Sequence, residues 1–314
     1  MLKLDEIRMR DSFVVAHNGV YYLYGTKGER TNTKNLYVYK SKDLETFREP
    51  ETIFTLPNDF WGVSELWAPE VHFFNGKWYL FISIMGKNGL RGTQIAVSDA
   101  PDGVYTPVAN RPATPLDKSC IDGTFYVENG VPYIVYSRDW PDNFVEDKGV
   151  YVGQIFAQEL SADLSEPVGE PFLLFESDEA PISKGRPAKH PFLDKEEVVR
   201  YGSDGPFLYT LENGRLLLLW SPIPDNNYVV ASAYSDNGIK GEFIHNTEPI
   251  FDKHGGHAML FTDFDGKLRM SFHWPEKYMA ERTMLLTVKE TPTSLEVIDG
   301  YQNLKSNYRK LRFE

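Results

Sequence analysis

The chain has 314 residues, with 33 Lys and Arg against 45 Asp and Glu, for a formal net charge of −12. An acidic chain with no Lys/Arg run of five lacks the electrostatic footprint of a nucleic-acid or anionic-membrane binder, so neither partner is expected. At 41% hydrophobic, 25% charged and 14% aromatic residues it reads as a folded protein inclined to strands, which excludes disorder and coiled coil.

The first residues, MLKLDEIRMR, break every apolar pair with a charge and hold no signal-peptide core. No later stretch approaches the ~18 apolar residues of a membrane span. A cytoplasmic location is the expectation. The single cysteine, Cys120, agrees with a reducing compartment, since it has no disulfide partner and no second thiolate for a zinc site.

In chain order, short apolar and aromatic runs are separated by five dipeptides that tolerate the positive φ of a type I′ turn: Asn18-Gly19, Asn75-Gly76, Asn129-Gly130, Asn213-Gly214 and Asp265-Gly266. Each predicts a hairpin. The strands before the turns read SFVVA, EVHFF, TFYVE, FLYTL and AMLFT, and those after them VYYLYGT, KWYLFIS, VPYIVYS, RLLLLWS and KLRMSFH. A third strand follows. In four units it ends on a serine and an aspartate (Ser41 and Asp43, Ser98 and Asp99, Ser161 and Asp163, Ser235 and Asp236) that can bond their own backbone and turn the chain into an outer strand. The unit is a four-stranded antiparallel meander, with copies starting near residues 11, 68, 122, 204 and 257.

Sheets repeated at this spacing predict an all-β chain, a five-bladed β-propeller of four-stranded antiparallel blades around a central axis, in one domain over residues 1–314. The extra stretch in the longest interval, about 176–200, carries three prolines and mixed charge. It reads as a long inter-blade loop with a short helical turn at its acidic end. A two-sheet sandwich would account for the strands but not for the fivefold period. Residues 1–10 either add a strand to the last blade or leave the ring to close by packing alone.

In a propeller the first strand of each blade lies nearest the axis, and residues at its head face one end of the channel. Asp11 in RDSF, Asp122 in IDGTF, Asp204 in SDGPF and His257 in GHAML take that place, with Trp67-Ala68-Pro69-Glu70 at the head of the second blade. Asp before a small residue is also an ordinary turn former. Three at equivalent positions point to a use, because carboxylates gathered without one repel. An inverting glycosidase supplies it: two carboxyl groups roughly 6.5–9.5 Å apart, one protonating the leaving oxygen and the other taking a proton from the attacking water. A third beside the acid raises its pKa by like-charge repulsion.

RDSFVVAHNGVYYLYGT, WAPEVHFFNGKWYLF and IDGTFYVENGVPYIVY resemble, in order, the first three blade segments of glycoside hydrolase family 43, five-bladed propellers that act on arabinose- and xylose-containing glycans. The resemblance covers essentially the whole chain. It implies that Asp11 is the general base and that Asp122 tunes the acid and orients the substrate. The family's acid is usually a glutamate before Gly-Pro. Here Ser203-Asp204-Gly205-Pro206 places an aspartate there, one methylene shorter, so Asp204 is the expected acid, with Glu70 and Glu65 as reserve carboxylates. GGHAMLF resembles the segment whose histidine lies on the axis, which puts His257 in the pocket, where the family admits a calcium or sodium ion. No cofactor is required, and the pair His254 and His257 is by itself a weak metal signal. Arg282, in AERTMLL, resembles an arginine that holds sugar hydroxyls.

Sugar pockets combine an aromatic platform with polar edges, and Trp67 is the expected platform. Phe60, Trp61, Trp140 and Trp274 lie in loops that can border it, although core packing is the default for such residues. The reading is an inverting glycosidase of the α-L-arabinofuranosidase or β-xylosidase type, whose partner is a plant-derived oligosaccharide. Its rivals are a non-catalytic carbohydrate-binding propeller that has lost the general acid, motivated by Asp204, and a protein-interaction propeller with a closed pit. No motif selects the sugar, exo or endo action, or an oligomeric state.

Overall fold

Each predicted hairpin forms, and in the first three both turn residues adopt the left-handed conformation that selected them, whereas at Asn213-Gly214 and Asp265-Gly266 only the glycine does. Asn18, Asn75 and Asn129 have φ of 49, 46 and 52°, and each is followed by a left-handed glycine. The computed structural model describes residues 1–27, 31, 33–139, 141, 143–189 and 197–300. The paired first and second strands are Met9–His17 with Val20–Lys27, Gly62–Phe74 with Lys77–Gly86, Cys120–Glu128 with Val131–Arg138, Asp204–Thr210 with Leu216–Ser221, and Gly256–Thr262 with Leu268–Trp274. Third strands Asn35–Ser41, Arg91–Ser98, Gln154–Leu160, Ala231–Ser235 and Arg282–Glu290 add antiparallel to the second. The serine and aspartate turns behave as expected: Ser41 Oγ accepts the N–H groups of Asp43 and Leu44, and Asp43 Oδ1 those of Glu45 and Thr46.

The second strands are continuous apolar runs because both their faces are buried between neighbouring sheets. Leu217 and Leu219 join one hydrophobic cluster, while Leu216, Leu218 and Trp220 join another. Likewise Leu80, Ile82 and Ile84 face one layer and Tyr79 and Phe81 the next. The first strands touch in sequence, Met9–His17 against Gly62–Phe74, then Cys120–Glu128, Asp204–Thr210 and Gly256–Thr262, which returns to Met9–His17.

Two expectations are corrected. The stretch at 176–200 is not simply a loop: Arg186–Lys189 and Glu197–Tyr201 are strands, and they form a sixth sheet with Phe144–Val145 and Val150–Val152. Its partners come from a distant connection, and Val150–Val152 pairs in parallel with Glu197–Tyr201, so no local hairpin signal announced it. The acidic end of the stretch, at 194–196, falls outside the described residues. The first sheet has six strands rather than four, because Leu2–Lys3 and Glu51–Thr55 also join it. The N-terminal segment therefore adds its strand to the first sheet, against Thr46–Phe47, while Arg8 bridges to Arg282 of the last sheet and Met9 N–H donates to Glu281 O at 3.2 Å.

Every first strand carries a β-bulge near its head, where the pairing register shifts: between Arg10 and Phe13, Trp67 and Glu70, Ile121 and Thr124, Asp204 and Phe207, and Gly256 and Met259. Within each bulge one residue is left-handed: Asp11, Ala68, Asp122, Gly205 and His257, at φ 51, 44, 57, 49 and 59°. Asp204 is thus displaced by one from the place of Asp11 and Asp122, because Gly205 takes the left-handed position. The bulges are clamped from the preceding repeat. Ala68 N–H donates to Thr26 Oγ1 at 2.8 Å, Asp122 N–H to Ser83 Oγ at 2.7 Å, His257 N–H to Ser221 Oγ at 2.8 Å and Asp11 N–H to His273 Nδ1 at 3.2 Å. At the remaining joint Ser137 Oγ bonds Ser203 O and Gly205 N–H donates to Asp122 Oδ2.

Candidate active site

The bulges turn the heads of the first strands inward, and Asp11, Trp67, Asp122, Asp204 and His257 converge on one pit of about 190 Å³. Arg10, Thr26, Ile121 and Asp139 complete its lining. His257 sits between the acids, its Nδ1 3.3 Å from Asp11 Oδ1 and 3.8 Å from Asp122 Oδ2. Gly205 packs against the flat of this imidazole so closely that a Cβ there would lie 2.7 Å from His257 Cγ, and its φ of +49° independently favours glycine.

Asp11 and the other two aspartates are tuned apart. Burial pushes the Asp11 carboxyl up, but His257 and Arg10 more than reverse this and hold it well below the usual carboxylate range. Thr26 Oγ1 donates to its Oδ2 at 2.6 Å. Arg10 is itself pinned by Glu276 at 2.6 Å and Glu281 at 3.3 Å. Asp122 goes the other way: burial and then the charge of Asp11 raise it to about 8, against the pull of the Gly205 N–H at 3.1 Å. Asp204 is also raised well above its ordinary value, by burial first and then by Asp122 and Asp139. Tyr228, fully buried and stacked on His273, donates to Asp204 Oδ2 at 3.3 Å. Asp122 and Asp204 titrate as a pair that keeps a proton near neutrality. The Gly205 N–H opposes the rise at Asp122, so Asp204 holds its proton the more firmly of the two.

The other residues expected here are elsewhere. Glu70 lies outside the pit lining, buried, with its Oε2 2.8 Å from Nε2 of His72, whose ring packs against Phe13, Phe81 and Phe125. Glu65 is committed to Arg91 at 2.8 Å, and that guanidinium stacks 4.2 Å over the Trp67 ring, leaving Trp67 one covered face. Arg282 is not brought to the pit: its Nε donates to Asp5 O and its Nη1 to Glu281 O, so it clasps the N-terminal segment rather than facing a sugar. Trp61 and Trp274 spend their indole N–H groups on Gln94 and Lys253 O, and Trp140 lies outside the described residues.

Among residues that touch the pit or its acids, the sequence reading missed Ile121 and His273, and also Arg10, Thr26, Asp139 and Tyr228. Arg10 and Thr26 stand inside quoted segments, next to Asp11 and at the end of the second strand, but arginine beside an acid and a strand-end threonine are too common to single out. Asp139 follows Ser137 by two residues and is likewise unmarked. Tyr228 arrives from a strained turn in which Asp225 and Asn226 are left-handed, and no motif signals it.

A hard cation such as calcium takes about six to eight oxygen ligands. Near His257 the oxygens nearest the imidazole are those of Asp11 and Asp122, already engaged with it, and among the described residues no three His, Cys, Asp or Glu are arranged to hold a metal. These donors do not fit a resident ion. The set can instead move protons: an ionised carboxylate opposite a protonated one, in a pit walled by an aromatic ring.

Known proteins resemble this chain in sequence and architecture. Alpha-L-arabinofuranosidase 43 of Humicola insolens is 22% identical over 263 residues, 78% of this chain and 48% of that protein. The extracellular exo-alpha-(1->5)-L-arabinofuranosidase of Streptomyces avermitilis is 23% identical over 278 residues, 82% of this chain and 52% of that protein. The chain therefore spans about half the length of these curated relatives. The crystal structure of endo-arabinase from Bacteroides thetaiotaomicron VPI-5482 superposes with a TM-score of 0.82 at 32% identity, covering 94% of this chain and 99% of that one. The sequence pattern of Glycosyl hydrolases family 43 matches residues 6–290, nearly the whole length, and the chain belongs to that family.

Proposed function

We propose that the protein is an inverting glycoside hydrolase that cleaves arabinofuranosyl or xylosyl linkages in arabinose- or xylose-containing oligosaccharides, on a single domain of five blades. Asp11 is the base, Asp204 the acid and Asp122 the modulator. The observation that carries the reading is the split within one pit, where Asp11 is held ionised while Asp122 and Asp204 retain a proton. In a single displacement, water gives a proton to Asp11 as its oxygen bonds to the anomeric carbon. The glycosidic C–O bond breaks, and the departing oxygen takes the proton of Asp204. Arabinose-containing substrates are favoured over xylosides by the likeness to the endo-arabinase, and Trp67, in the pit wall, is the platform for the ring.

The test pairs aryl α-L-arabinofuranoside and β-D-xyloside with the matching natural disaccharides, for wild type, Asp11→Asn and Asp204→Ala, and follows the product anomer by NMR. Aryl leaving groups need little protonation and sugar leaving groups need much. The expected result is inverted product, an inert Asp11→Asn, and an Asp204→Ala enzyme that keeps only the aryl reaction. Retained configuration or an active Asp11→Asn overturns the mechanism. Glycan binding with no turnover by wild type assigns the chain to the carbohydrate-binding alternative, in which Asp204 has replaced a working acid.

A further inference from the structure

Thr26 ends the second strand of the first repeat, eight residues after Asn18, and the same offset from each later turn leads to Ser83, Ser137, Ser221 and His273. At the next joints these side chains act as scaffolding, as when Ser83 and Ser221 accept the N–H of the following bulge. A hydroxyl that accepts one bond still has its own proton to direct. Thr26 accepts the Ala68 N–H at 2.8 Å and directs its proton to Asp11 Oδ2 at 2.6 Å. The directions are forced, because a backbone N–H can only donate and an ionised carboxylate can only accept. Thr26 is 3% exposed and Asp11 8%, so bulk water does not compete for either bond.

The two oxygens of Asp11 are left unequal. Oδ2 holds a short hydrogen bond, while Oδ1 receives none among the described residues and stands 3.3 Å from both His257 Nδ1 and His273 Nδ1 and 3.7 Å from Arg10 Nε.

We propose that Thr26 is the positioning residue of the base: its hydroxyl holds the Asp11 carboxylate by Oδ2 and so makes Oδ1 the atom that takes the proton of the attacking water. The inference rests on the reading of Asp11 as general base. It also assigns a second consequence to the same hydroxyl. Ala68 adjoins Trp67, so one side chain sets the base and the aromatic wall in register across the joint between the first two repeats. A hydrogen bond donated to the ionised form lowers the pKa of that form, so Thr26 helps keep the base charged.

The experiment compares Thr26→Val, nearly isosteric but without a hydroxyl, with Thr26→Ser and Asp11→Asn. Kinetics are measured on aryl α-L-arabinofuranoside, and the Asp11 carboxyl is titrated by 13C NMR, which does not depend on turnover. Thr26→Val should lower kcat at least tenfold with KM changed less than about threefold, raise the Asp11 pKa, and move the acid limb of kcat/KM to higher pH; Thr26→Ser should restore all three. If Thr26→Val does not fold, Thr26→Ala carries the same readouts. A variant whose melting temperature falls while the Asp11 titration and acid limb stay in place shows a clamp and nothing more, and overturns the proposal. An Asp11→Asn enzyme with wild-type turnover removes the base assignment itself, whereas an inert Asp11→Asn beside an unshifted Thr26→Val sinks only the role of Thr26.

Discussion

Asp139 shows how a residue that need not touch substrate can set the working range of the site. It lines the pit, and its charge raises both Asp122 and Asp204, after burial and the charge of Asp11 at the first and after burial and the charge of Asp122 at the second. The alkaline limb of kcat/KM reports loss of the acid's proton, which burial and the neighbouring carboxylates hold well above the ordinary carboxylate range at Asp204. The acid limb reports protonation of Asp11, well below the usual carboxylate range. Asp139→Asn removes one like charge from the pair, so the proton leaves more easily and the alkaline limb moves to lower pH, by about one unit or less for a neighbour that is not the largest influence. The acid limb should hardly move. A pH–rate profile of this variant checks both limbs, and an unmoved alkaline limb would show that the acid's proton does not govern it.

At the scale of the element, the bulge is the unit that matters. It inserts one left-handed residue, turns a side chain inward, and exposes an N–H that the preceding repeat accepts. Gly205 is the most constrained of the five, with both a positive φ and the His257 ring where a Cβ would go. Gly205→Ala should cost about 1–3 kcal/mol of stability and displace His257 from Asp11, with a large loss of turnover. Gly19→Ala shares the positive φ but meets nothing within 4 Å, so it should cost about 1 kcal/mol and leave turnover intact. Urea melts and kinetics on both variants separate backbone strain from the clash. The hairpins were legible in the sequence because Asn-Gly and Asp-Gly report a local conformation, and the acids because each heads the strand before such a turn, Asp11 and Asp122 seven residues ahead of it and Asp204 nine. The displacement of Asp204 by one residue was not legible, since either Asp204 or Gly205 can start a bulge and only the contact with His257 decides. The sixth sheet was hidden for a different reason: its pairing joins segments about fifty residues apart, and prolines and charges mask the strand pattern of EEVVRY.

Across the whole molecule, the site sets stability against function. A chain of net charge −12 gathers Asp11, Asp122, Asp139 and Asp204 around one pit, with Arg10 and the His257 imidazole facing them there. Asp122 binds its proton more tightly folded than unfolded, its pKa rising from the ordinary ~3.9 to about 8. Between those values the folded state holds more protons, so this contribution is complete below pH ~4 and is lost as pH rises through 8. Asp11 has the opposite sign: its contribution is present above its unfolded value and is lost only as pH falls towards its depressed folded one. From pH 5 to 8 the pit should therefore weaken the fold steadily. Asp122→Asn keeps an oxygen for the Gly205 N–H but can no longer ionise, which removes this dependence. Its melting temperature should match wild type near pH 5 and exceed it by about 2 °C or more at pH 8, as activity is lost. Calorimetric scans at several pH values make the check: a difference that does not grow with pH would mean that Asp122 is ionised at little cost, and that the fold does not sacrifice stability to keep a proton in the pit.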